Sequence, residues 1–338
     1  KVATKNLPAN AIDKVQIYDK KSEQAELTGV DDGEREKTIN LVLKDDHKSA
    51  VFGDVSAGAG SDEHYKLSSK IYRFTAKQQL AFLGMLNNIN ETGFSFRDYM
   101  DFNGGMRNMS DGSGMDFTLN SNSSPVNFGE TQYGKITSGA TGINYTYEAV
   151  KNNRINISYM ANGANKKINT NIYTKNFALN NEFYTDEDDA ENTENRNHNL
   201  SVNFRNRPDS TQNISINTSL SYNTQNRKTN DYTLTYRDTF AENELTDNGT
   251  ENENGLSGRI KASYLKRFKS KWSIFKINTD ASYNSTETNS DWGNIGSFFL
   301  TGVNTSQSNF RDNINEKQSY TGSVSIAHKT GNYYLIEP

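Results

Sequence analysis

The feature that most limits how this chain can fold is an alternation of apolar and polar residues over long segments. The clearest case, 213–223, reads NISINTSLSYN. Ile214, Ile216, Leu220 and Tyr222 fall on one face of an extended strand, and Asn and Ser residues lie between them. A helix would scatter these apolar residues around its axis, because its side chains repeat every ~3.6 residues. The segment is therefore predicted to be a β-strand with one apolar and one polar face.

The same pattern recurs along most of the chain. Its apolar members include Ile155, Ile157, Leu200, Val202, Phe204, Leu256, Ile260, Phe275, Ile277, Val324 and Ile326. Several apolar faces end on tyrosine: Tyr147, Tyr159, Tyr222, Tyr264, Tyr283 and Tyr320. A tyrosine has an apolar ring and a hydroxyl that needs water, so it suits a membrane–water interface. These tyrosines are candidates for an interfacial girdle.

The composition is too polar for an ordinary globular domain. Only 33% of the residues are hydrophobic, where roughly 45–50% is usual, and the mean hydropathy is −0.86. Disorder would require few aromatic residues, yet the chain has 18 Tyr and 17 Phe. The wall of a membrane β-barrel fits both observations, because only one face of each strand is apolar and the other lines a wet lumen.

The predicted strands are separated by connections of two kinds. The strands cover 50–60, 64–74, 77–89, 134–148, 153–164, 196–206, 211–224, 254–267, 271–285, 316–328 and a segment from about 332. Short turns alternate with long polar connections at 90–133, 165–195, 225–253 and 286–315, which are expected to face the outside. Around Thr170 to Ala178 we expect the strand to extend above the membrane. Short periplasmic turns and long extracellular loops are typical of an up-and-down membrane barrel.

The predicted fold class is therefore all-β, as an antiparallel up-and-down transmembrane β-barrel. Its strands are about 10–14 residues long, where about 9–11 residues span a bilayer and soluble strands have about 5–6. A soluble β-sandwich is the alternative, because its strands also alternate. About 11 strands are predicted, and single-chain bacterial barrels have an even number, so we expect the chain to hold only part of a barrel.

The first 49 residues differ in sequence pattern from the rest. Residues 7–19 read LPANAIDKVQIYD, which predicts a short helix begun near Pro8 and then a strand with Val15 and Ile17. A charged loop with Asp31-Asp32-Gly33 follows, and Thr38 to Lys44 predicts a second strand, TINLVLK.

These residues resemble the last part of the plug domain of TonB-dependent outer-membrane transporters. In that family an Ile-x-x-Val-x-Ile segment precedes a variable loop and an Ile-Asn-Leu strand, which Ile12, Val15 and Ile17 and then Ile39-Asn40-Leu41 match. The Bacteroidota branch of outer-membrane β-barrel and TonB-dependent receptor proteins is more similar still. Its likeness covers about 1–105 and includes FTAKQQLAFLGMLNNINETGFSFRDYMDFNGG.

The resemblance implies a nutrient importer in the outer membrane of a Gram-negative bacterium. Residues 1–49 would be the C-terminal part of an α+β plug domain. Residues 50–338 would be about half of a barrel of roughly 22 strands, the size of plugged transporters. The implied partners are outer-membrane lipids, TonB and a surface lipoprotein.

The resemblance also implies where contacts lie. In this family substrate is held by the plug apex and by loops, so aromatic residues of 90–105 are candidates: Phe94, Phe96, Tyr99 and Phe102. Asp31, Asp32 and Arg35 are candidates for plug–barrel ion pairs, although Arg35 equally fits a plain surface charge.

Little in the sequence points to catalysis, a cofactor or nucleic acid. The four His residues are dispersed without metal-ligand spacing, and no nucleophile or phosphate-loop motif is present. A net charge of −4 gives no electrostatic case for nucleic acid. The run Asp186 to Asp189 offers oxygen ligands to Ca²⁺ but lacks a known spacing, so a solvated loop is favoured.

Three hypotheses follow for the function. The chain is predicted to belong to an importer that TonB energises. The alternative is a barrel without transport, acting as a structural or interaction component of an envelope complex. A soluble secreted β-protein is the third, and it would purify without detergent.

Overall fold

The strands of this protein form one large sheet and two small ones. The computed structural model describes residues 12–21, 35–43, 49–91, 94–95, 126–127, 134–150, 153–177, 182–268, 273–330 and 334–336. Over these residues the chain is all-β. In the same part of the chain, no helix has the length and apolar character needed to cross a membrane.

A two-stranded antiparallel sheet comes first. It pairs β1 (Ile12–Lys21) with β2 (Arg35–Leu43). Both predicted N-terminal strands are thereby confirmed, while the helix expected near Pro8 lies outside the described residues. β1 and β2 pair only with each other among the described strands. The division into a plug end at 1–49 and a barrel part at 50–338 stays a prediction.

The large sheet contains 11 antiparallel strands in chain order. They are β3 (Ala50–Ala59), β4 (Tyr65–Phe74), β5 (Gln78–Asn87), β8 (Lys135–Val150), β9 (Asn153–Asn176), β10 (Phe183–Asn206), β11 (Gln212–Arg237), β12 (Phe240–Arg267), β13 (Ser273–Phe298), β14 (Val303–Thr330) and β15 (Tyr334–Ile336). β3 and β15 lie at the two edges of the sheet. The predicted all-β, antiparallel, up-and-down arrangement and its count of about 11 strands are confirmed.

The strand lengths differ from the prediction. Strands β9 to β14 have 24 to 28 residues each. The predicted long loops at 165–195, 225–253 and 286–315 are therefore wrong, because those residues are mostly paired strand. Only 238–239 separate β11 from β12, and 299–302 separate β13 from β14. The predicted alternation of short turns and long loops fails here, while the extension around Thr170 is confirmed as far as Asn176.

The reason for the error is that the outer halves of these strands are mostly polar, with scattered apolar side chains such as Ile172, Leu245 and Ile295. Their hydropathy shows little period, although the cross-strand pairing continues through them, with one register shift at Thr235/Tyr236. Cross-strand amide pairs stabilise this part: Asn226 donates to Asn252, and the Nδ2 of Asn230 donates to the Oδ1 of Asn248 over 2.7 Å. Such side-chain pairs contribute to sheet stability without any apolar face.

One long connection does remain, between β5 and β8. Within it, β6 (Phe94–Ser95) and β7 (Val126–Asn127) form a short parallel pair that sequence reasoning missed. At the start of β8, the side chain of Asn90 forms two hydrogen bonds to the backbone. Its Nδ2 donates to the carbonyl oxygen of Gly134 over 2.7 Å, and its Oδ1 accepts from the amide of Ile136 over 2.9 Å.

The short turn between β10 and β11 is fixed by Asp209. Its carboxylate accepts hydrogen bonds from the amide of Thr211 at 2.7 Å, from the Thr211 hydroxyl at 2.5 Å and from the Gln212 side chain at 2.6 Å. Aspartate is favoured in turns because its side chain can bind the backbone two residues on. The hydrogen bonds from Thr211 and Gln212 hold the pKa of Asp209 well below its usual range.

Replacing Asp209 by Ala should lower the melting temperature at neutral pH, because this turn loses three hydrogen bonds. The lowered pKa means that the carboxylate stabilises the fold above the unfolded-state pKa of about 3.9. Its contribution is lost as pH falls below that value. Thermal unfolding of both proteins from pH 7 to pH 3 should show their difference shrinking at acid pH. A constant difference would contradict the role of the charged form.

Candidate functional site

The buried face of β8 carries polar side chains as well as apolar ones such as Ile136 and Ala140. Asn144 is 9% exposed, and Ser138 and Thr146 are also buried, whereas Ile143 on the other face is 45% exposed. In a water-soluble sheet the apolar face would be the buried one. The face that bears Asn144 is thus the enclosed face of the protein.

The strand register aligns the exposed apolar side chains into one continuous band. Ile157 lies opposite Val202, which lies opposite Thr218 on the next strand. The row continues across β12 to β14 through Ile260, Ala281 and Tyr320. Neighbouring rows add Ile143, Ile216, Leu220, Leu256, Val324 and Ile326, all of them exposed.

An aromatic row borders this band on the side of the long hairpins. The rings of Tyr159, His198 and Tyr222 stack in turn, with centroids 6.2 and 6.4 Å apart. The Tyr159 hydroxyl also lies 2.8 Å from the Nδ1 of His198. From Ile214 to Tyr222 the band extends about 26 Å along the strand at ~3.3 Å per residue, and these residues match the roughly 9–11 residues with which a tilted strand spans a bilayer.

The opposite face carries a hydrogen-bonded polar network. The Nδ2 of Asn156 donates to the Oδ1 of Asn144 at 2.9 Å and to the hydroxyl of Thr146 at 2.8 Å. Two nitrogens of Arg259 donate to the two carboxylate oxygens of Asp280, over 2.8 and 2.5 Å. Enclosed polar groups need such partners, and these residues provide them for one another.

The enclosed face becomes apolar at one end of the sheet. Tyr72, Leu83, Ala140 and Met160 are buried there in one cluster. Phe52, Phe74, Ala81 and Met85 pack against it. The Phe52 ring lies 5.3 Å from both the Tyr72 and Phe74 ring centroids. Strands β3 to β5 therefore add apolar side chains to the enclosed face, next to polar ones such as Asp54 and Lys70.

Beyond the band, the enclosed face of β11 to β14 bears a cleft. Its volume is about 330 Å³, and its lining contains no aliphatic side chain larger than threonine. We call it the wall cleft; it is lined by Arg227, Thr229, Asp231, Asp247, Asn248, Gly249, Thr250, Glu251, Trp292, Gly293, Asn294 and Asn309. The register is unbroken from Arg259 to Asp247, so the cleft lies on the same face as the Arg259–Asp280 pair.

Carboxylates meet one another across the strands at the wall cleft. Asp189 lies opposite Asp231, and Asp231 lies opposite Asp247. Like charges directly opposite one another destabilise a sheet. Burial, and then the carboxylates of Asp189 and Asp247, raise the pKa of Asp231 above its ordinary value, although Arg227 opposes them.

The basic residue of the cleft is already paired. Arg227 donates to the Oε2 of Glu191 over 2.8 Å. Burial raises the pKa of Glu191, but the hydrogen bonds from Thr193 and Arg227 outweigh burial and hold this pKa below its ordinary value. Glu191 is thus an ionised partner for Arg227. Within the described residues, Asp231, Asp247 and Glu251 have no ion-pair partner.

An indole ring and a glycine shape the same cleft. Trp292 lies directly opposite Gly249 and is 39% exposed. A Cβ atom at Gly249 would lie 2.6 Å from the Thr229 hydroxyl and 3.5 Å from Trp292. The guanidinium of Arg311, which does not line the cleft, lies 5.1 Å from the centre of the Trp292 ring system.

The site residues predicted from the sequence fall elsewhere. Phe94 lies in β6, and Phe96, Tyr99 and Phe102 lie outside the described residues, as do Asp31 and Asp32. Arg35 is exposed at the start of β2. The structure brings none of the described members of these sets together, and their roles stay predictions.

The acidic run at 186–189 was expected to be a solvated loop, and that expectation is wrong. These residues belong to β10, so their side chains point alternately to the two faces. Within the described part of the chain, no group of three or more His, Cys, Asp or Glu is placed to hold a metal ion. Sequence reasoning missed the wall cleft because its residues come from four strands that only the register aligns.

Comparison with known proteins gives no family assignment. No protein-family model matches the chain, and no curated protein matches it.

Two solved structures share a faint likeness with the chain. The ferric yersiniabactin uptake receptor FyuA from Yersinia pestis is 9% identical, with a TM-score of 0.20, over 94% of this chain and 50% of that one. The ferric-catecholate import receptor Fiu from E. coli K12 is 9% identical, with a TM-score of 0.25, over 87% of this chain and 65% of that one. The chain thus spans about half the length of the first receptor. At TM-scores this low, neither likeness carries an argument about this chain.

Proposed function

We propose that this chain is part of the wall of a β-barrel in the outer membrane of a Gram-negative bacterium. The barrel would be a TonB-dependent receptor that imports a nutrient past a plug. The observation that carries the membrane placement is the inverted polarity of the large sheet. From β8 to β14 many apolar side chains are exposed in a register-aligned band, whereas the opposite face carries hydrogen-bonded polar side chains such as Asn144, Asn156 and Arg259.

The energetics of the band favour lipid as its neighbour. Burying one side chain of the size of Ile or Leu is worth about 1.5–3 kcal/mol. Ile157, Ile216, Leu220 and Ile260 are only four of the exposed members of the band. If the band faced water, these side chains would lose that burial free energy. If it faces bilayer hydrocarbon, they are removed from water and keep it.

The edges of the sheet support a barrel larger than the described strands. Among the described strands, β3 has no partner along one edge, and β15 pairs only with residues 328–330 of β14. In a bilayer each unpaired backbone group costs several kcal/mol, so spanning sheets are closed. We propose that further strands complete the wall, to roughly 22 strands, the size of a plugged transporter.

Import and TonB coupling rest on the resemblance of residues 1–105. The separate β1–β2 sheet is consistent with a plug whose end lies at 1–49. Residues 50–338 would then be barrel, in contact with outer-membrane lipids. The second candidate, a barrel serving as a scaffold in an envelope complex, would share every feature of the wall but need no TonB.

Cysteine scanning tests the membrane placement. The label reacts only at the introduced position, because this chain has no cysteine of its own. Single cysteines at 260 to 264 of the full-length protein would carry an environment-sensitive dye in lipid vesicles. We expect lipid-borne quenchers to quench positions 260, 262 and 264, and aqueous iodide to quench 261 and 263. Equal quenching by iodide at all five positions would overturn the proposal and favour a soluble β-protein.

Growth experiments test the importer hypothesis. Deletion of the gene should abolish growth on, or uptake of, one nutrient, and deletion of tonB should reproduce that defect. A gene deletion with no transport defect across a broad nutrient panel would contradict import. If the deletion phenotype persists unchanged by loss of TonB, the scaffold role is the better description.

A further inference from the structure

The lining of the wall cleft is negatively charged. It contains three acidic residues, Asp231, Asp247 and Glu251, and one basic residue, Arg227, which gives a formal charge of −2. Since Arg227 is bound to Glu191, its charge is already matched by a carboxylate next to the cleft. An anion entering the cleft would meet three carboxylates without an ion-pair partner, so the electrostatics exclude it.

The form of the cleft argues for a molecule, in preference to a metal ion. Its volume of about 330 Å³ falls at the lower end of small-molecule sites, roughly 300–1,000 Å³. The carboxylates come from different strands, and within the described residues no group of three or more His, Cys, Asp or Glu is placed to hold a metal ion. An organic cation needs fewer carboxylates than a metal ion does, because its N–H groups can also donate to the amide and hydroxyl oxygens of the lining.

The indole of Trp292 supplies a second recognition element. Cations bind over the face of Trp in preference to other aromatic rings. The protein already uses this property, because the Arg311 guanidinium lies 5.1 Å from the same indole. Gly249 keeps the space in front of the indole open, since even one methyl group there would touch both Thr229 and Trp292.

We infer that the wall cleft binds an organic cation, a molecule with a primary amine or guanidinium. Its charged end is held by Asp231 and Asp247, and its stem lies along Trp292. The neighbouring Asn294 and Asn309 amides and the Thr229 hydroxyl offer further hydrogen bonds. This inference rests on the proposed function only for the cleft's position on the extracellular side of the wall.

Calorimetric titration of the purified full-length protein in detergent, at low salt, tests the inference. The probe is agmatine, which has an amine at one end and a guanidinium at the other, and the neutral comparison is 1,4-butanediol. We expect saturable binding of agmatine and none of the diol. Equal binding of both probes, or of neither, would overturn the inference. Since no membrane is involved, this outcome is independent of the cysteine scan.

Variants distinguish binding of agmatine in the cleft from its attraction to general surface charge. The double variant Asp231→Asn with Asp247→Asn should weaken agmatine binding at least tenfold. Gly249→Val, which fills the space before Trp292, should weaken it as well. Asp291→Asn removes one exposed carboxylate from the same region on the opposite face, and it should leave binding unchanged. Equal losses in Asp291→Asn and the double variant would mean that agmatine responds only to net charge.

The pH profile gives a further readout. Protonation of Asp231 removes one of the charges that hold the ligand. Burial raises the pKa of Asp231, and so do three neighbouring carboxylates: Asp189 and Glu191 on β10 and Asp247 on β12. Arg227 on β11 lowers this pKa, but the net effect is a raised pKa. Agmatine binding should therefore weaken on acidification already above about 3.9, the ordinary pKa of an aspartate. In Asp231→Asn this early phase should be missing; its persistence would assign it to another group.

Discussion

Replacing Ile260 by Arg should lower the free energy of unfolding in lipid vesicles by about 2–4 kcal/mol, the cost of a cation at mid-bilayer on a barrel's outer face. Ile260 is 50% exposed and lies in the centre of the apolar band, between Thr218 and Ala281 on the adjacent strands. None of its direct cross-strand neighbours could neutralise the new charge. The measurement is urea unfolding, followed by the gel shift between folded and unfolded barrel.

The matched control is Ser263→Arg on the same strand. Ser263 faces the enclosed polar side, and its cross-strand neighbours are Ser215 and Asn278. The new guanidinium can be hydrated there, so we expect a loss well under half of that for Ile260→Arg. Equal losses for the two variants would mean that both faces meet the same medium, and the membrane placement would then be wrong.

Replacing Gly134 by Ala should cause the second large loss of stability. Gly134 begins the strand region of β8 with φ of +84°, a left-handed conformation. Any side chain there costs roughly 1–2 kcal/mol. In addition, a Cβ atom would lie 2.3 Å from the carbonyl oxygen of Lys167, which is backbone and cannot rotate away. With about 1–3 kcal/mol more for overpacking, we expect a total of roughly 2–5 kcal/mol.

Gly302 offers the control that isolates the clash. Its φ is +68°, and a Cβ atom there would meet nothing within 4 Å. Gly302→Ala should therefore cost only the conformational part, about 1–2 kcal/mol. Urea unfolding of the two variants under the same conditions gives the difference. If Gly302→Ala proves as damaging as Gly134→Ala, close approach to Lys167 does not explain the cost.

The strands of the apolar band could be predicted from the sequence with little error. Alternation at 213–223 places Ile214 to Tyr222 on one face, and the structure has the same parity and an aromatic row at the predicted Tyr159 and Tyr222. Periodicity is informative there because the apolar side chains keep to one face, the face that we propose meets lipid. The outer halves of β9 to β14 keep no such face, so their residues looked like loops.

The candidate site could not be predicted from the sequence. Asp189, Asp231 and Asp247 are separated by long stretches of sequence, and no spacing rule connects them. They meet only because β10, β11 and β12 pair in one particular register, which a shift of one residue would destroy. Trp292 joins them through the next strand for the same reason.

The sequence by itself thus determined the local structure: extended strands with two unlike faces, and two strands in the first 49 residues. These depend on side-chain period. Only the tertiary structure decided that the hairpins continue as paired strands beyond the band and that Asp189, Asp231 and Asp247 lie opposite one another on three strands. Cross-strand register is set by backbone pairing over long sequence distances, and where both faces are polar no residue pattern records it.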